Sequence, residues 1–252
     1  MADNDLNHIQ RNCDNGVLRL TLNRPVKKNA LTLAMYEALT EHLQDANHDD
    51  QVRVVLIHGE GGNFTAGNDL ADFLQNTPTD ESAPVFRFMY AISQLSKPIV
   101  AAVDGVAIGI GTTMLLHCDL VYADTNAKFM MPFVNLGLNP EAGSSHLLPV
   151  LAGYHRAAEL LMLGEPFGAV KASQIGLVNH IVTESAVVTY ALDQARKLVA
   201  KPVASLLVTK RLLKEAHSEL IRKTISKEAL ILIERLKSPE AKAAFEAILN
   251  RR

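Results

Sequence analysis

The sequence has no tryptophan and only two cysteines, Cys13 and Cys118, and aromatic residues make up 5% of it. Two cysteines cannot build a disulfide framework, so we expect a surface thiol and a core thiol in a reducing compartment. So few aromatic side chains argue against a stacking platform for single-stranded nucleic acid. Neither sign of charge dominates, because 25 basic residues face 27 acidic ones, for a net charge of −2. We therefore expect no nucleic-acid partner.

Long apolar runs are also missing. Near the apolar centre of the chain, the longest stretch without a charged residue covers residues 105–118, which is shorter than the ~20 residues of a membrane-spanning helix. The first thirty residues are acidic and polar, unlike a secretory signal or an arginine-rich transit peptide. We therefore expect a soluble, cytoplasmic protein with no membrane partner.

Strand and helix patterns alternate over roughly the first 180 residues. Apolar alternation or short apolar runs predict strands at residues 16–23, 52–58, 98–103, 119–123 and 128–131. Helical spacing of apolar residues predicts a helix over 31–49 and another that carries Val85, Met89, Ile92 and Leu95. This alternation predicts the α/β class.

The pattern changes after residue 186, where four helices are predicted at 186–200, 202–217, 219–236 and 239–249. Lysine and arginine lie on their polar faces, as on a solvated surface. A helical region of this size is too small for a large core of its own. We expect it to pack against the first part of the chain or against another subunit.

Several familiar catalytic motifs are absent from the sequence. There is no complete dinucleotide fingerprint and no phosphate-binding loop of the Walker A type. The nine histidines include no pair with zinc-ligand spacing, so no metal site is expected. Ser144, Ser145 and His146 are neighbours but lack the sharp turn that exposes a nucleophile, and we expect core or capping roles for them.

Two glycine-containing loops, FTAGNDL at 64–70 and GVAIGIG at 105–111, each follow a strand and lead into a helix. The first backbone N–H groups of a helix have no partner within it, and small residues let a ligand approach them closely. Two such helix starts facing each other would supply two donors to one oxyanion. The alternative is that the glycines serve packing alone.

Six segments, in this order along the chain, resemble the enoyl-CoA hydratase/isomerase (crotonase) superfamily. They are LNRP with NAL within 22–31, FTAGNDL at 64–70, KP with DG and a glycine within 97–109, CDLVYA at 118–123, FVNLGLNPE at 133–141, and KP with TK within 201–210. The resemblance implies a spiral of ββα units over residues 1–190 that holds an acyl-CoA site, followed by a helical trimerisation region over 191–252. It also implies acyl-CoA thioester substrates, a homotrimer or dimer of trimers, and no cofactor beyond the coenzyme A of the substrate.

The resemblance also implies roles for individual residues. The backbone N–H groups of Asn68 and Ile110 correspond to the family's two oxyanion donors. Asp69 is expected to cap the helix that begins near Leu70 as well as to border the site. The remaining substrate-binding residues implied by position are Ala66, Gly67, Leu70, Phe133 and Leu138.

The segment 26–28 resembles the stretch that borders the adenosine end of coenzyme A. Val26 lies within it, and Arg24, Lys27 and Lys28 are either phosphate contacts or ordinary surface charge. Phe73, Phe86 and Phe88 either line the acyl tunnel or belong to the core.

Glu141 is the candidate base. Hydratases of the family use two glutamates, and the corresponding positions here are Thr113 and Phe133, neither of which can activate water. Isomerases of the peroxisomal Δ3,Δ2-enoyl-CoA type have a glutamate at the loop position of Glu141, where it takes a proton from C2 and returns it to C4. A structural role for Glu141, as a loop carboxylate or at a helix N-terminus, is the alternative.

Two further hypotheses stay open from the sequence. One is a different crotonase-type reaction, such as hydration, C–C cleavage or thioester hydrolysis, that uses a group not identified here. The other is a non-catalytic acyl-CoA-binding subunit, because the glutamate pair is missing.

Overall fold

The computed structural model describes residues 8–183 and 186–249, and these form nine strands. The strands are β1 (Ile9–Asp14), β2 (Val17–Leu22), β3 (Val54–Gly59), β4 (Ile99–Val103), β5 (Val106–Ile108), β6 (Leu120–Asp124), β7 (Lys128–Met130), β8 (Phe167–Gly168) and β9 (His180–Val182). A large sheet has the order β1-β2-β3-β4-β6-β9, with only β1 antiparallel to its neighbour. A small sheet has the order β5-β7-β8.

Ten α-helices surround the sheets in the described part of the chain. They are α1 (Leu33–His48), α2 (Leu70–Gln75), α3 (Pro84–Gln94), α4 (Ile110–Thr113), α5 (Ser144–Ala152), α6 (Tyr154–Ala158), α7 (Ala169–Gln174), α8 (Val187–Val199), α9 (Val203–Leu236) and α10 (Pro239–Leu249). Short 3-10 helices cover Pro25–Lys27, Met114–His117 and Val134–Leu136, and a π turn covers Glu159–Leu163.

The large sheet is buried on both faces. In β3, Val54 and Leu56 pack with the side chains of α8, whereas Val55 and Ile57 face the main core together with α1 and α3. A parallel strand covered on both faces favours apolar residues at every covered position, which explains the apolar run 54–57 of β3 and the uninterrupted apolar sequence of β4.

Successive turns of the chain repeat a strand of the large sheet, a strand of the small sheet and a helix. β4, β5 and α4 form one such turn, and β6 and β7 begin the next. In the turn before them, Thr65 takes the place of the second strand, because it forms a parallel bridge with Ala107 of β5. The two glycine loops of the sequence therefore occupy equivalent positions in neighbouring turns and lie side by side.

The C-terminal helices pack against the α/β part of the same chain. On α9, the Nζ atom of Lys210 contacts Asp119 Oδ2 at 2.7 Å, and Arg235 donates to the carbonyl of Gly137 at 2.9 Å. On α10, Phe245 is buried in the main core. α9 is a single helix, so the predicted separate helices at 202–217 and 219–236 are wrong. Ser218, between them, stays helical with its hydroxyl donating to the carbonyl of Glu215.

The α/β class and the helical C-terminal region are confirmed, and the predicted strands match β2, β3, β4, β6 and β7 closely. The predicted boundary at residue 190 falls inside α8, whose buried residues Val187, Ala191 and Ala195 pack on the large sheet. α8 therefore belongs to the α/β core. Among the described residues, no helix is both long and apolar enough to cross a membrane.

Candidate functional site

A cavity of about 490 Å³ lies where the two glycine loops meet the C-terminal helices. Its polar groups are few, and most of its wall is apolar. Leu232 of α9 and Phe245 and Ile248 of α10 close it on one side. Predicted site residues that line it are Lys28, Ala66, Gly67, Asn68, Asp69, Leu70, Ile110, Phe133, Leu138 and Glu141, together with Lys27 and Phe73. Such a cavity is typical of a small-molecule site with a few convergent polar groups.

The backbone N–H of Asn68 has no hydrogen-bond acceptor in the described part of the chain, because of the way in which its loop pairs with Leu31. The N–H of Leu31 donates to Gly67 O at 2.7 Å, and the N–H of Asp69 donates to Leu31 O at 2.9 Å. In this parallel bridge the N–H of Asn68 points away from Leu31, and it donates to no group in residues 8–183 and 186–249. The side chain of Asn68 is held separately, because the hydroxyl of Tyr36 donates to its Oδ1 atom.

Ile110 is the first residue of α4, so its N–H has no partner within the helix. Gly109 precedes it with φ +58° and ψ −121°, a conformation that glycine adopts without strain. The two loops are in close contact, since a Cβ atom on Gly67 would lie 2.6 Å from Ile108 O and one on Gly111 would lie 2.6 Å from the Thr65 side chain. Within the described part of the chain, the N–H groups of Asn68 and Ile110 have no hydrogen-bond acceptor, and both residues line one cavity, as an oxyanion hole requires.

Glu141 reaches the same cavity from the loop that precedes α5, and its side chain is almost completely buried. Thr113 of α4 donates a long hydrogen bond of 3.4 Å to Glu141 Oε1. Burial among apolar groups raises the pKa of Glu141 to about 8, and the nearby carboxylate of Glu228 contributes to the increase. A carboxyl with this pKa can serve both as a base and, once protonated, as an acid near neutral pH.

Thr113 and Phe133 are the positions that the resemblance aligns with the two glutamates of hydratases. Thr113 is fully buried and hydrogen-bonded, at 3.3 Å to Gly109 O as well as to Glu141. Phe133 presents its ring to the cavity. Among the described residues that line the cavity, Glu141 and Asp69 are the carboxylates.

Asp69 is committed to structure. Its Oδ1 accepts the N–H groups of Ala71 and Asp72 at 3.1 and 3.3 Å, so the predicted cap of α2 is confirmed. Its Oδ2 lies 2.6 Å from the guanidinium of Arg24, and hydrogen bonds from Arg24 and from the α2 N–H groups outweigh burial and lower the pKa of Asp69. Arg24 is itself buried and also contacts Ala30 O. Its guanidinium is therefore held inside the protein, and this gives no support to a phosphate contact.

The neighbouring basic residues remain at the mouth of the cavity. Lys27 and Lys28 line it, and Lys28 O accepts the N–H of Ala66, which ties this segment to the first glycine loop. Val26 is 86% exposed on the short 3-10 helix and lies outside the cavity lining.

The structure decides between the tunnel and core positions that the sequence left open for three phenylalanines. Phe86 and Phe88 of α3 are completely buried in the core, where the ring of Phe88 packs on Tyr36, whereas Phe73 of α2 does line the cavity.

The sequence analysis missed Tyr36 and Glu228, because their partners are distant in sequence. It also missed the C-terminal residues of the cavity wall, although the apolar face of the 239–249 helix was a signal for Phe245 and Ile248.

No group of three or more histidine, cysteine, aspartate or glutamate side chains is arranged to hold a metal ion in the described ranges. The cavity itself offers main-chain donors, an apolar wall and one buried carboxyl, that of Glu141, which is not held in an ion pair as Asp69 is. That set can stabilise an anionic oxygen and move a proton next to it.

Comparison with known proteins adds the following similarities. A family model described as enoyl-CoA hydratase/isomerase matches residues 12–252. The chain is 36% identical to 1,2-epoxyphenylacetyl-CoA isomerase of Escherichia coli over 222 residues, covering 84% of this chain and 82% of that one. It is 33% identical to enoyl-CoA delta isomerase 2 of Rattus norvegicus over 245 residues, 95% of this chain but only 62% of the longer rat protein. Among solved structures, Pseudomonas aeruginosa OdaA superposes with a TM-score of 0.95 at 46% identity, covering 97% of this chain and 100% of that one.

Proposed function

Because the chain belongs to the enoyl-CoA hydratase/isomerase family, we propose that it moves the double bond of a 3-enoyl-CoA to the 2 position, with Glu141 as the single base. The observation that carries this proposal is the combination of one buried carboxyl of raised pKa with two free backbone N–H groups in a mainly apolar cavity. The names of the two isomerase relatives support an acyl-CoA substrate.

In the proposed mechanism, the thioester carbonyl oxygen accepts hydrogen bonds from the N–H groups of Asn68 and Ile110. Removal of a proton from C2 leaves an enolate, whose negative charge develops on that oxygen. Two preorganised donors stabilise this charge more than that of the neutral carbonyl, and one such donor contributes roughly 3–4 kcal/mol in a well-studied protease. Because both contacts use the main chain, the side chains of these residues are free to vary.

Glu141 carries the proton. Its ionised form takes one proton from C2 and becomes a neutral carboxylic acid, while the C2–H electrons and the C3–C4 double bond form a dienolate. The same carboxylic acid then gives that proton to C4, which leaves the double bond between C2 and C3 and regenerates the carboxylate. No atom is gained or lost, and the step needs no separate cofactor.

The apolar wall favours isomerisation over hydration. Phe133 and Leu138 occupy space near Glu141 where a hydratase must hold an attacking water molecule, and Thr113 is a poor base because of its high pKa. Exclusion of water also strengthens the hydrogen bonds to the enolate.

We propose that the adenosine end of coenzyme A lies along Val26, Lys27 and Lys28, with Arg24 excluded by its pairing with Asp69. The family resemblance further supports assembly into a trimer or a dimer of trimers. Large apolar side chains that a self-association surface would cover are exposed on α5 to α7: Val150, Leu151, Tyr154, Met162, Leu163 and Val170.

The test compares a 3-enoyl-CoA with the matching 2-enoyl-CoA, following conjugation by absorbance and water addition by mass. We expect the 3-enoyl ester to become the conjugated 2-enoyl ester without a gain in mass. Glu141→Gln, a nearly isosteric change, should lower kcat by about 10²–10⁴-fold while substrate still binds. Water addition would favour a hydratase, and binding without turnover would favour a non-catalytic subunit.

A further inference from the structure

Glu228 of α9 is a buried carboxylate with no place in the proposed reaction. It is 5% exposed, and its two oxygens accept the backbone N–H groups of Gly143 at 2.6 Å and Ser145 at 3.0 Å. Both donors belong to the start of α5, immediately after Glu141. The carbonyl of Glu228 also accepts the side-chain amide of Asn139 at 3.1 Å, on the other side of Glu141 in the sequence.

The loop that carries Glu141 is held from a second direction by His117. Its Nε2 atom lies 2.7 Å from Ala142 O, and because a carbonyl only accepts, this nitrogen carries the proton. Ala142 has φ +56°, a strained value for a residue with a Cβ atom, so external contacts must hold it there. His117 and Glu228 together supply those contacts.

Glu228 also supplies the negative charge that has the strongest effect on the pKa of Glu141. Tyr36 is neutral because burial raises its pKa, and His117 is neutral because burial lowers its pKa to about 4. The other charged groups around the cavity are Asp69, which is paired with Arg24, and Lys27 and Lys28 at its mouth. Glu228 is thus the like charge that opposes ionisation of Glu141.

Of the two carboxyls, Glu228 is the one that carries the charge. Burial raises its pKa, but two backbone N–H groups at the N-terminus of α5 favour its ionised form. Glu141 has only the long contact from Thr113, and hence takes the proton.

We propose that Glu228 is a positioning residue for the base: it fixes the Glu141 loop through Gly143 and Ser145, and its negative charge opposes ionisation of Glu141. The proposal rests on the proposed function only in taking Glu141 as the base. A base that holds its proton more tightly is a stronger base, which helps removal of a proton from C2, and it is poised to return that proton to C4.

The test titrates Glu141 without substrate, so that its outcome is independent of whether the protein is an isomerase. In infrared difference spectra between the parent protein and Glu141→Gln, the carbonyl band of the protonated Glu141 carboxyl should disappear with a midpoint near pH 8. In Glu228→Gln this midpoint should move to lower pH by about one pH unit, because a like charge has been removed. An unchanged midpoint would overturn the proposal.

Glu81→Gln is the matched control, since Glu81 also contacts α9, accepting the hydroxyl of Ser226 at 2.9 Å. This variant should leave the Glu141 midpoint unchanged even if it lowers the thermal midpoint, whereas a shift equal to that of Glu228→Gln would overturn the specific role of Glu228. If Glu228→Gln does not fold, comparison of the parent with Glu141→Gln still tests which of the two carboxyls carries the charge. A protonated-carboxyl band at neutral pH that survives in Glu141→Gln, and so belongs to Glu228, would overturn the charge assignment.

Discussion

Replacing Glu141 with glutamine should make the protein more stable at alkaline pH than the parent. The buried carboxyl of Glu141 has its pKa raised from 4.5 to about 8, so the folded state holds a proton that the unfolded state releases. Below pH 4.5 both states are protonated and Glu141 costs nothing. Between about pH 4.5 and 8 the unfolded state ionises first, and stability is lost as the pH rises. Glutamine does not ionise, so its variant escapes this loss.

The size of the effect follows from the pKa difference. A pKa of about 8 in the folded state against 4.5 in the unfolded state corresponds to a loss on the order of 5 kcal/mol above pH 8. That is a large fraction of the 5–15 kcal/mol by which domains are typically stable. The same burial gives Glu141 the proton affinity that the proposed reaction needs.

The assay is urea unfolding of the parent and of Glu141→Gln at several pH values from 4 to 9, at equal protein concentration. We expect the free energies of unfolding of the two proteins to differ least near pH 4 and to diverge in favour of the variant as the pH rises to 8. A constant difference across this range would refute the reasoning, because it would mean that Glu141 ionises with an ordinary pKa in the folded protein.

Three other changes have expected outcomes. Asp69→Asn should lower the free energy of unfolding by about 3–5 kcal/mol in urea titrations, since it leaves the buried Arg24 guanidinium without its partner charge. Tyr36→Phe should lower kcat by about tenfold with little change in KM in steady-state assays, because Asn68 loses the hydroxyl that holds its side chain and its N–H becomes misaligned. Phe245→Ala should cost about 3–5 kcal/mol in chemical denaturation and raise the KM for long acyl chains, because it removes both a core contact and part of the cavity wall.

The central strands were predictable because the local pattern of apolar residues indicates which of their faces are buried. β4 is apolar at every position, as a strand covered on both faces must be, and β2 alternates. β1 was missed because Ile9 is its only buried residue, and the other five positions carry no apolar signal. Its place in the sheet comes from antiparallel pairing with β2, which a local pattern does not encode.

The candidate site was predictable to the extent that it depends on the order of motifs along the chain. Gly67 and Gly109 mark the loops that leave the N–H groups of Asn68 and Ile110 unpaired, and the resemblance assigned both. Tyr36 and Glu228 act across contacts between distant helices and loops, so nothing near them in sequence indicated a role. For Arg24 the local sequence suggested a phosphate contact or an exposed charge. The structure instead shows it buried and paired with Asp69.

The most direct test of the proposed mechanism follows the proton that Glu141 takes from C2 and returns to C4. A 3-enoyl-CoA with both C2 hydrogens replaced by deuterium is converted in ordinary water, and the product is analysed by mass and by position of the label. Because Glu141 is 3% exposed and is the single base of the proposed mechanism, we expect a measurable fraction of the product to keep both deuterium atoms, one at C2 and one at C4. A product that has lost one deuterium in every turnover, with none at C4, would contradict transfer by a single buried carboxyl.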